Sequence, residues 1–207
     1  MNTDLYAITD DGLSLGRSVY EVVELLLSAG VRIIQYREKD KNARVMLEEC
    51  LRLRDMTRKA AATFIVNDHV DIAMLCGADG VHVGQDDLPV PAVRSLVGPG
   101  MRIGVSTHSL EQAEKAVREG ADYLGVGPLF PTKTKKDVCA PVGLTYLEQV
   151  VKARLPMPFV AIGGIKRNNI GEVTRRGARC CCLVSELVGA PDIPARVEEV
   201  RKAMREQ

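Results

Sequence analysis

Short apolar runs recur along the chain, and the same polar punctuation precedes several of them. Ala29-Gly30-Val31-Arg32-Ile33-Ile34-Gln35 is one version of the phrase, and Cys76-Gly77-Ala78-Asp79-Gly80-Val81-His82-Val83-Gly84 is a second. Glu119-Gly120-Ala121-Asp122-Tyr123-Leu124-Gly125-Val126-Gly127 and Arg176-Gly177-Ala178-Arg179-Cys180-Cys181-Cys182-Leu183-Val184 are a third and a fourth. Each reads as a glycine that ends a helix in the left-handed conformation, a brief turn, then a strand. Helical periodicity lies upstream of the glycines, most clearly over Val19 to Ser28 and Leu110 to Arg118. Extending the pattern predicts strands near Leu5–Thr9, Arg32–Arg37, Thr63–Asn67, Gly80–Gly84, Arg102–Val105, Tyr123–Val126, Phe159–Ile162 and Cys180–Val184, with a last helix from about Pro194 to Arg205. Most of these strands are continuous apolar runs, as in a parallel sheet buried on both faces.

Eight βα units in 207 residues predict an α/β protein with one domain spanning 1–207, a (β/α)8 TIM barrel near the lower size limit for that fold. A doubly wound open sheet is the alternative. It calls for a glycine-rich fingerprint after the first strand, and Thr9-Asp10-Asp11-Gly12 is not one. The net charge of +1, with acids and bases interspersed, argues against nucleic acid or an anionic membrane as partner, so any basic site is local. No apolar run approaches the ~20 residues that span a bilayer. The first ten residues lack the pattern of a signal peptide, and a cytoplasmic location is expected. Six cysteines fit that compartment. Cys180, Cys181 and Cys182 sit consecutively on a strand and alternate between faces, so they read as packing residues rather than one metal site.

Barrel chemistry gathers at the carboxyl ends of the strands. After strand two, Gln35, Arg37 and Lys39 share one side by alternation, a set that suits a pyrophosphate or a polar ring, or else pairs with nearby acids. Strand three ends in Asn67-Asp68, and Gln85-Asp86-Asp87 follows strand four. Asp68 and one of the latter two acids make a pair of the kind Mg2+ takes, with water and substrate phosphate completing its shell. The alternative is that these acids cap the helices beginning near His69 and after Leu88. Ser109 and Gln112 form a capping-box pattern, which leaves Ser106 at the mouth. His69, His82 and His108 show no triad-like partners and read as structural. The long loop from Pro128 to Gly143 alternates hydroxyls with ammonium groups and suits phosphate, as do Gly163-Gly164 and Val184-Ser185 after the last two strands. These residues describe an enzyme that joins or splits two phosphorylated small molecules.

Taken in order, the strand ends resemble the thiamine phosphate synthase family over nearly the whole chain. The resemblance runs through Tyr6-Ala7-Ile8-Thr9-Asp10, Gln35 to Lys39, Asn67-Asp68, Gly80 to Asp87, Gly104 to His108, Gly125 to Pro128, Phe130 to Lys135 and Ile162 to Ile165. It implies that Gln35, Tyr36, Arg37, Glu38 and Lys39, with Asn67, Ser106 and Lys135, hold an aminopyrimidine methyl pyrophosphate, Tyr36 and Glu38 through their backbone. Thr132, Lys133, Thr134, Gly164, Val184 and Ser185 would bind a thiazole phosphate, and Asp68 and Asp87 one Mg2+ per site. Arg37, Ser106 and Lys135 would carry the catalysis, an SN1-like loss of pyrophosphate followed by capture by the thiazole nitrogen. The partners implied are phosphorylated small molecules, and a homo-oligomer is compatible with the chain. A thiazole tautomerase-like relative and a non-catalytic thiamine phosphate binder are the rivals; neither needs the acidic pair and the pyrophosphate cluster together. One departure is the last repeat, usually Gly-Ala-Asp-Gly-Val, which here reads Gly177-Ala178-Arg179-Cys180-Cys181 and touches the assignment of Val184 and Ser185.

Overall fold

The computed structural model describes residues 3–132, 134 and 139–206. Among them, eight parallel strands close in chain order into a barrel: β1 (Leu5–Ile8), β2 (Ile33–Tyr36), β3 (Thr63–Asn67), β4 (Gly80–Val83), β5 (Arg102–Thr107), β6 (Tyr123–Val126), β7 (Phe159–Ala161) and β8 (Cys181–Leu183). The surrounding helices are α1 (Val19–Ser28), α2 (Ala43–Lys59), α3 (Val70–Leu75), α4 (Val90–Val97), α5 (Leu110–Arg118), α6 (Gly143–Ala153), α7 (Ile170–Arg175), α8 (Ser185–Val188) and α9 (Ile193–Arg205). The repeat glycines Gly30, Gly77, Gly120 and Gly177 all have left-handed φ, between 63° and 99°, as the phrase predicted.

Alternation along the strands divides the apolar residues into two layers. Leu5, Ala7, Ile34, Phe64, Val66, Val81, Ile103 and Leu124 face outward and pack with the helices. Tyr6, Ile8, Ile33, Ile65, Tyr123 and Val160 fill the barrel itself. The cysteine triplet is split accordingly, Cys181 in the outer layer and Cys180 and Cys182 in the inner one. All three thiols are buried, and burial pushes that of Cys180 up to about 12.

The aspartate of the repeated phrase has a visible purpose at the amino ends of the strands. Asp79 accepts the Phe64 N–H at 2.8 Å and takes a two-pronged ion pair from Arg54 of α2, both contacts at 2.8 Å. Asp122 repeats the arrangement with the Ile103 N–H at 2.8 Å and Arg94 of α4. Each aspartate thus ties a strand to its neighbour and to the helix before it, satisfying an amide that the ladder leaves open. The first and last copies carry Arg32 and Arg179 at this position, and arginine cannot accept from a strand amide. At the last copy, β7 and β8 share the register pair Ala161–Cys181, whereas β2 and β3 stay in register from Ile33–Thr63 to Tyr36–Val66. A cavity of about 290 Å³ lies under that junction, lined by Phe159, Gly177, Arg179 and Cys180 among others.

Candidate active site

The loops at the carboxyl ends of β1 to β6 enclose a cavity of about 840 Å³. Arg37, Glu38, Lys39, Asp68, Asp87, Ser106 and Thr134 from the sequence reading all line it, together with Asp10, Asp86, His108 and Cys139.

On the β2 side, Arg37 Nη1 lies 3.5 Å from Asp10, and the Arg37 backbone N–H donates to Thr9 Oγ1 at 3.1 Å. Its Nε–H is buried with no acceptor among the described residues. A buried guanidinium donor left open at a cavity wall is one that an anion can satisfy. Burial raises the Asp10 carboxyl above its ordinary range, with Arg37 opposing the shift. Burial would also raise Glu38, but the backbone N–H groups of Asp40 and Lys39, at 2.9 and 2.7 Å, and the Lys41 ammonium outweigh it and hold the carboxyl low. Glu38 therefore shapes the loop that presents Lys39. Tyr36 points the other way, donating its hydroxyl to Glu49 of α2 at 2.6 Å, and does not line the cavity.

On the acidic side, neither Asp68 nor Asp87 caps a helix. α3 starts at Val70 with His69 as N-cap and no side-chain cap, and α4 starts at Val90 behind Pro89, also without one. Asp68 instead stands in the left-handed region at φ 61°, donates its N–H to the His82 carbonyl at 2.8 Å, and directs its carboxylate to the Lys39 ammonium. Strained non-glycine backbone of this kind concentrates at functional sites. Asp87 Oδ2 accepts the Gly84 N–H at 2.7 Å. No cluster of three or more His, Cys, Asp or Glu suited to a metal occurs among the described residues. Two carboxylates in a polar cavity fit a hard cation that draws its remaining ligands from water and phosphate.

Gln35 and Asn67 do not line the cavity. They sit inside the barrel, 2% and 5% exposed. Gln35 Nε2 donates to the Tyr6 hydroxyl at 2.8 Å, which lies 3.0 Å from the Tyr123 hydroxyl. His82 then bridges, Nδ1 3.0 Å from Tyr123 and Nε2 2.9 Å from Ser106 Oγ. His82 is thus tied to a predicted site residue rather than merely packed, through partners that no short sequence spacing marks. Inward parity on β1, β4, β5 and β6 was the available signal. His108 lines the cavity, its Nδ1 2.6 Å from the Gly127 carbonyl. The capping box is half formed: Ser109 Oγ accepts from the Gln112 N–H at 3.2 Å, but Gln112 Oε1 takes the His108 N–H instead of that of Ser109.

Among the residues expected to hold the second phosphate, Thr132 and Thr134 bring their hydroxyls to 3.1 Å. Lys133 and Lys135 lie outside the described residues. Gly163 and Gly164 have φ of 97° and 63° and are packed under the Pro128–Pro131 segment, where a Cβ on Gly164 would stand 2.6 Å from the Pro131 carbonyl oxygen. Gly164, Val184 and Ser185 do not line the cavity, although Ser185 is exposed where it opens α8.

A barrel with a basic cluster, an acidic pair and hydroxyls around one mouth defines a (β/α)8 enzyme for phosphorylated small molecules. The chain belongs to the thiamine monophosphate synthase family, whose description matches residues 5–187. It is 62% identical to the thiamine-phosphate synthase of Lawsonia intracellularis over 99% of this chain and 94% of that protein. Identity to the Pelotomaculum thermopropionicum thiamine-phosphate synthase is 61%, covering 97% of this chain and 92% of the relative. Among solved structures, a thiamine phosphate pyrophosphorylase from Pyrococcus furiosus superposes with a TM-score of 0.88 at 38% identity, covering 98% of this chain and 96% of that one.

Proposed function

We propose that this enzyme joins an aminopyrimidine methyl pyrophosphate to a thiazole phosphate, releasing pyrophosphate and forming thiamine phosphate. The reading is carried by one observation: Arg37, Lys39, Asp68 and Asp87 line a single cavity in a chain of this family. Arg37, with its unanswered Nε–H, and Lys39 receive the pyrophosphate, and Lys135, outside the described residues, is the third cation assigned to it. Mg2+, held by Asp68 and Asp87 when bound, supplies further charge neutralisation for the departing group. The C–O bond to pyrophosphate breaks with its electron pair on the leaving group, the electron-rich pyrimidine supports the methylene cation, and the thiazole nitrogen lone pair forms the new C–N bond. The site's part is to place the two reactants and stabilise the leaving charge. No side-chain nucleophile enters the scheme.

Ser106 on the cavity wall would recognise the pyrimidine, with Gln35 and Asn67 buried beneath the lining, and Thr132, Lys133 and Thr134 would take the thiazole phosphate, with Gly164, Val184 and Ser185 lying outside the lining. The cytoplasm is the proposed place of work. No helix among the described residues is long and apolar enough to cross a membrane. The test is pyrophosphate release from purified protein with both substrates, in Mg2+ or in EDTA. Release that requires both substrates and Mg2+, with thiamine phosphate as product, is the expected result. Tight binding of the thiazole compound without release would favour the tautomerase-like or binding-only reading.

A further inference from the structure

We infer that the buried chain Gln35–Tyr6–Tyr123–His82–Ser106 is a one-way hydrogen-bond relay that orients both groups reading the pyrimidine, and so sets the enzyme's preference for an amino over an oxo substituent. The inference rests on the proposed function for its substrate, but not for its geometry.

The inferred direction starts from the Gln35 amide, the one link whose donor is fixed. The Gln35 NH2 group can only donate, so the Tyr6 oxygen accepts from it at 2.8 Å. The single Tyr6 proton then goes to the Tyr123 oxygen at 3.0 Å, and the Tyr123 proton to His82 Nδ1 at 3.0 Å. That leaves Nδ1 without a proton of its own, so the neutral ring carries its hydrogen on Nε2 and donates to Ser106 Oγ at 2.9 Å. Ser106 therefore turns its own proton away from His82, and Ser106 lines the cavity. Burial holds both tyrosine hydroxyls above their ordinary range, so neither ionises while the enzyme works.

The barrel is shaped around this array. A Cβ at Gly104 would lie 2.1 Å from the Tyr123 ring, and one at Gly125 would lie 3.2 Å from the His82 ring. β5 and β6 each forgo a side chain where the relay crosses them. With its NH2 group committed to Tyr6, Gln35, which lies beneath the cavity lining at 2% exposed, has only its carbonyl oxygen left for a ligand group that reaches down to it, while Ser106 on the cavity wall offers a proton. An aminopyrimidine presents the complement, an exocyclic N–H donor beside ring-nitrogen acceptors. An oxo analogue presents an acceptor where the amine was, and a locked Gln35 answers it with another acceptor. Sites built to pair with a polar group reject the analogue that lacks it far more strongly than apolar pockets do.

Tyr6, Tyr123 and His82 are positioning residues on this account. The resting tautomer is read by 15N NMR of histidine-labelled enzyme, His82 being assigned by its loss in His82→Asn. Bare Nδ1 and protonated Nε2 are expected, and the opposite tautomer or a doubly protonated ring at neutral pH would overturn the relay. The second readout is kinetic, with Tyr6→Phe and Tyr123→Phe compared on amino and oxo pyrimidine pyrophosphates. Each variant should lose about tenfold or more in amino-over-oxo discrimination, on the scale of one buried hydrogen bond released, with the KM for thiazole phosphate unchanged. Equal losses on both pyrimidines, with discrimination intact, would overturn the inference. Should Tyr6→Phe fail to fold, Tyr123→Phe and the tautomer decide it. If wild-type enzyme releases no pyrophosphate, the proposed function fails while the tautomer still reports on the relay.

Discussion

Asp68→Asn lowers turnover by about 10²-fold or more, on the scale of losing one preorganised electrostatic contact. Asparagine is the informative replacement because residue 68 has φ 61°, a conformation that asparagine tolerates and alanine resists by roughly 1–2 kcal/mol. The amide keeps the backbone as it is and removes the charge that faces Lys39 and the cavity. The variant should melt within a few degrees of wild type while needing much more Mg2+ for its residual rate. Asp68→Ala should show the same kinetic loss with an added drop in stability. Near-normal turnover in the asparagine variant, measured at saturating substrates and several Mg2+ concentrations, would show that the carboxylate is only a counterion for Lys39.

Arg37→Ala is expected to cost about 10²-fold or more in kcat/KM for the pyrimidine pyrophosphate, with the KM for thiazole phosphate little changed. The guanidinium is half-buried against Asp10, and its Nε–H has no acceptor among the described residues. Arg37→Lys keeps a positive charge but offers a point charge in place of a planar fork, and should recover only part of the loss. Removing Arg37 also takes away the group that opposes the burial-driven rise of the Asp10 carboxyl, which then moves further up. Equal losses on both substrates would mean that Arg37 supports the architecture of the mouth rather than the pyrophosphate.

Helix boundaries were legible wherever the signal was local. α1 and α5 run over the residues their periodicity marked, because Ser18 and Ser109 cap them and Gly30 and Gly120 follow their ends. Strand ends were not, since a strand stops where its neighbour stops: the eighth was expected over Cys180–Val184 and pairs over Cys181–Leu183. At the site, parity along β2 placed Arg37 and Lys39 correctly at the cavity, but parity says nothing about depth. Gln35 and Asn67 therefore lie lower than the reading implied. Whether Asp68 capped a helix or faced the cavity depended on a single backbone torsion that no periodicity encodes. His82 was undervalued because its partners sit 41 and 24 residues away and meet it only when the barrel closes.

The brief pairing of β7 with β8 gives the closed barrel a seam. Between β7 and β8 the amide clamp supplied elsewhere by Asp79 and Asp122 has no counterpart in Arg179, the register pairing is brief, and a void lies below. Regions with few ties open first in native-state fluctuations. Amide hydrogens of β7 should therefore exchange with solvent ahead of those of β3 to β6. That junction lies across the barrel from the acidic pair, so Asp68 and Asp87, in the loops that follow β3 and β4, are expected to keep their places while the far side opens.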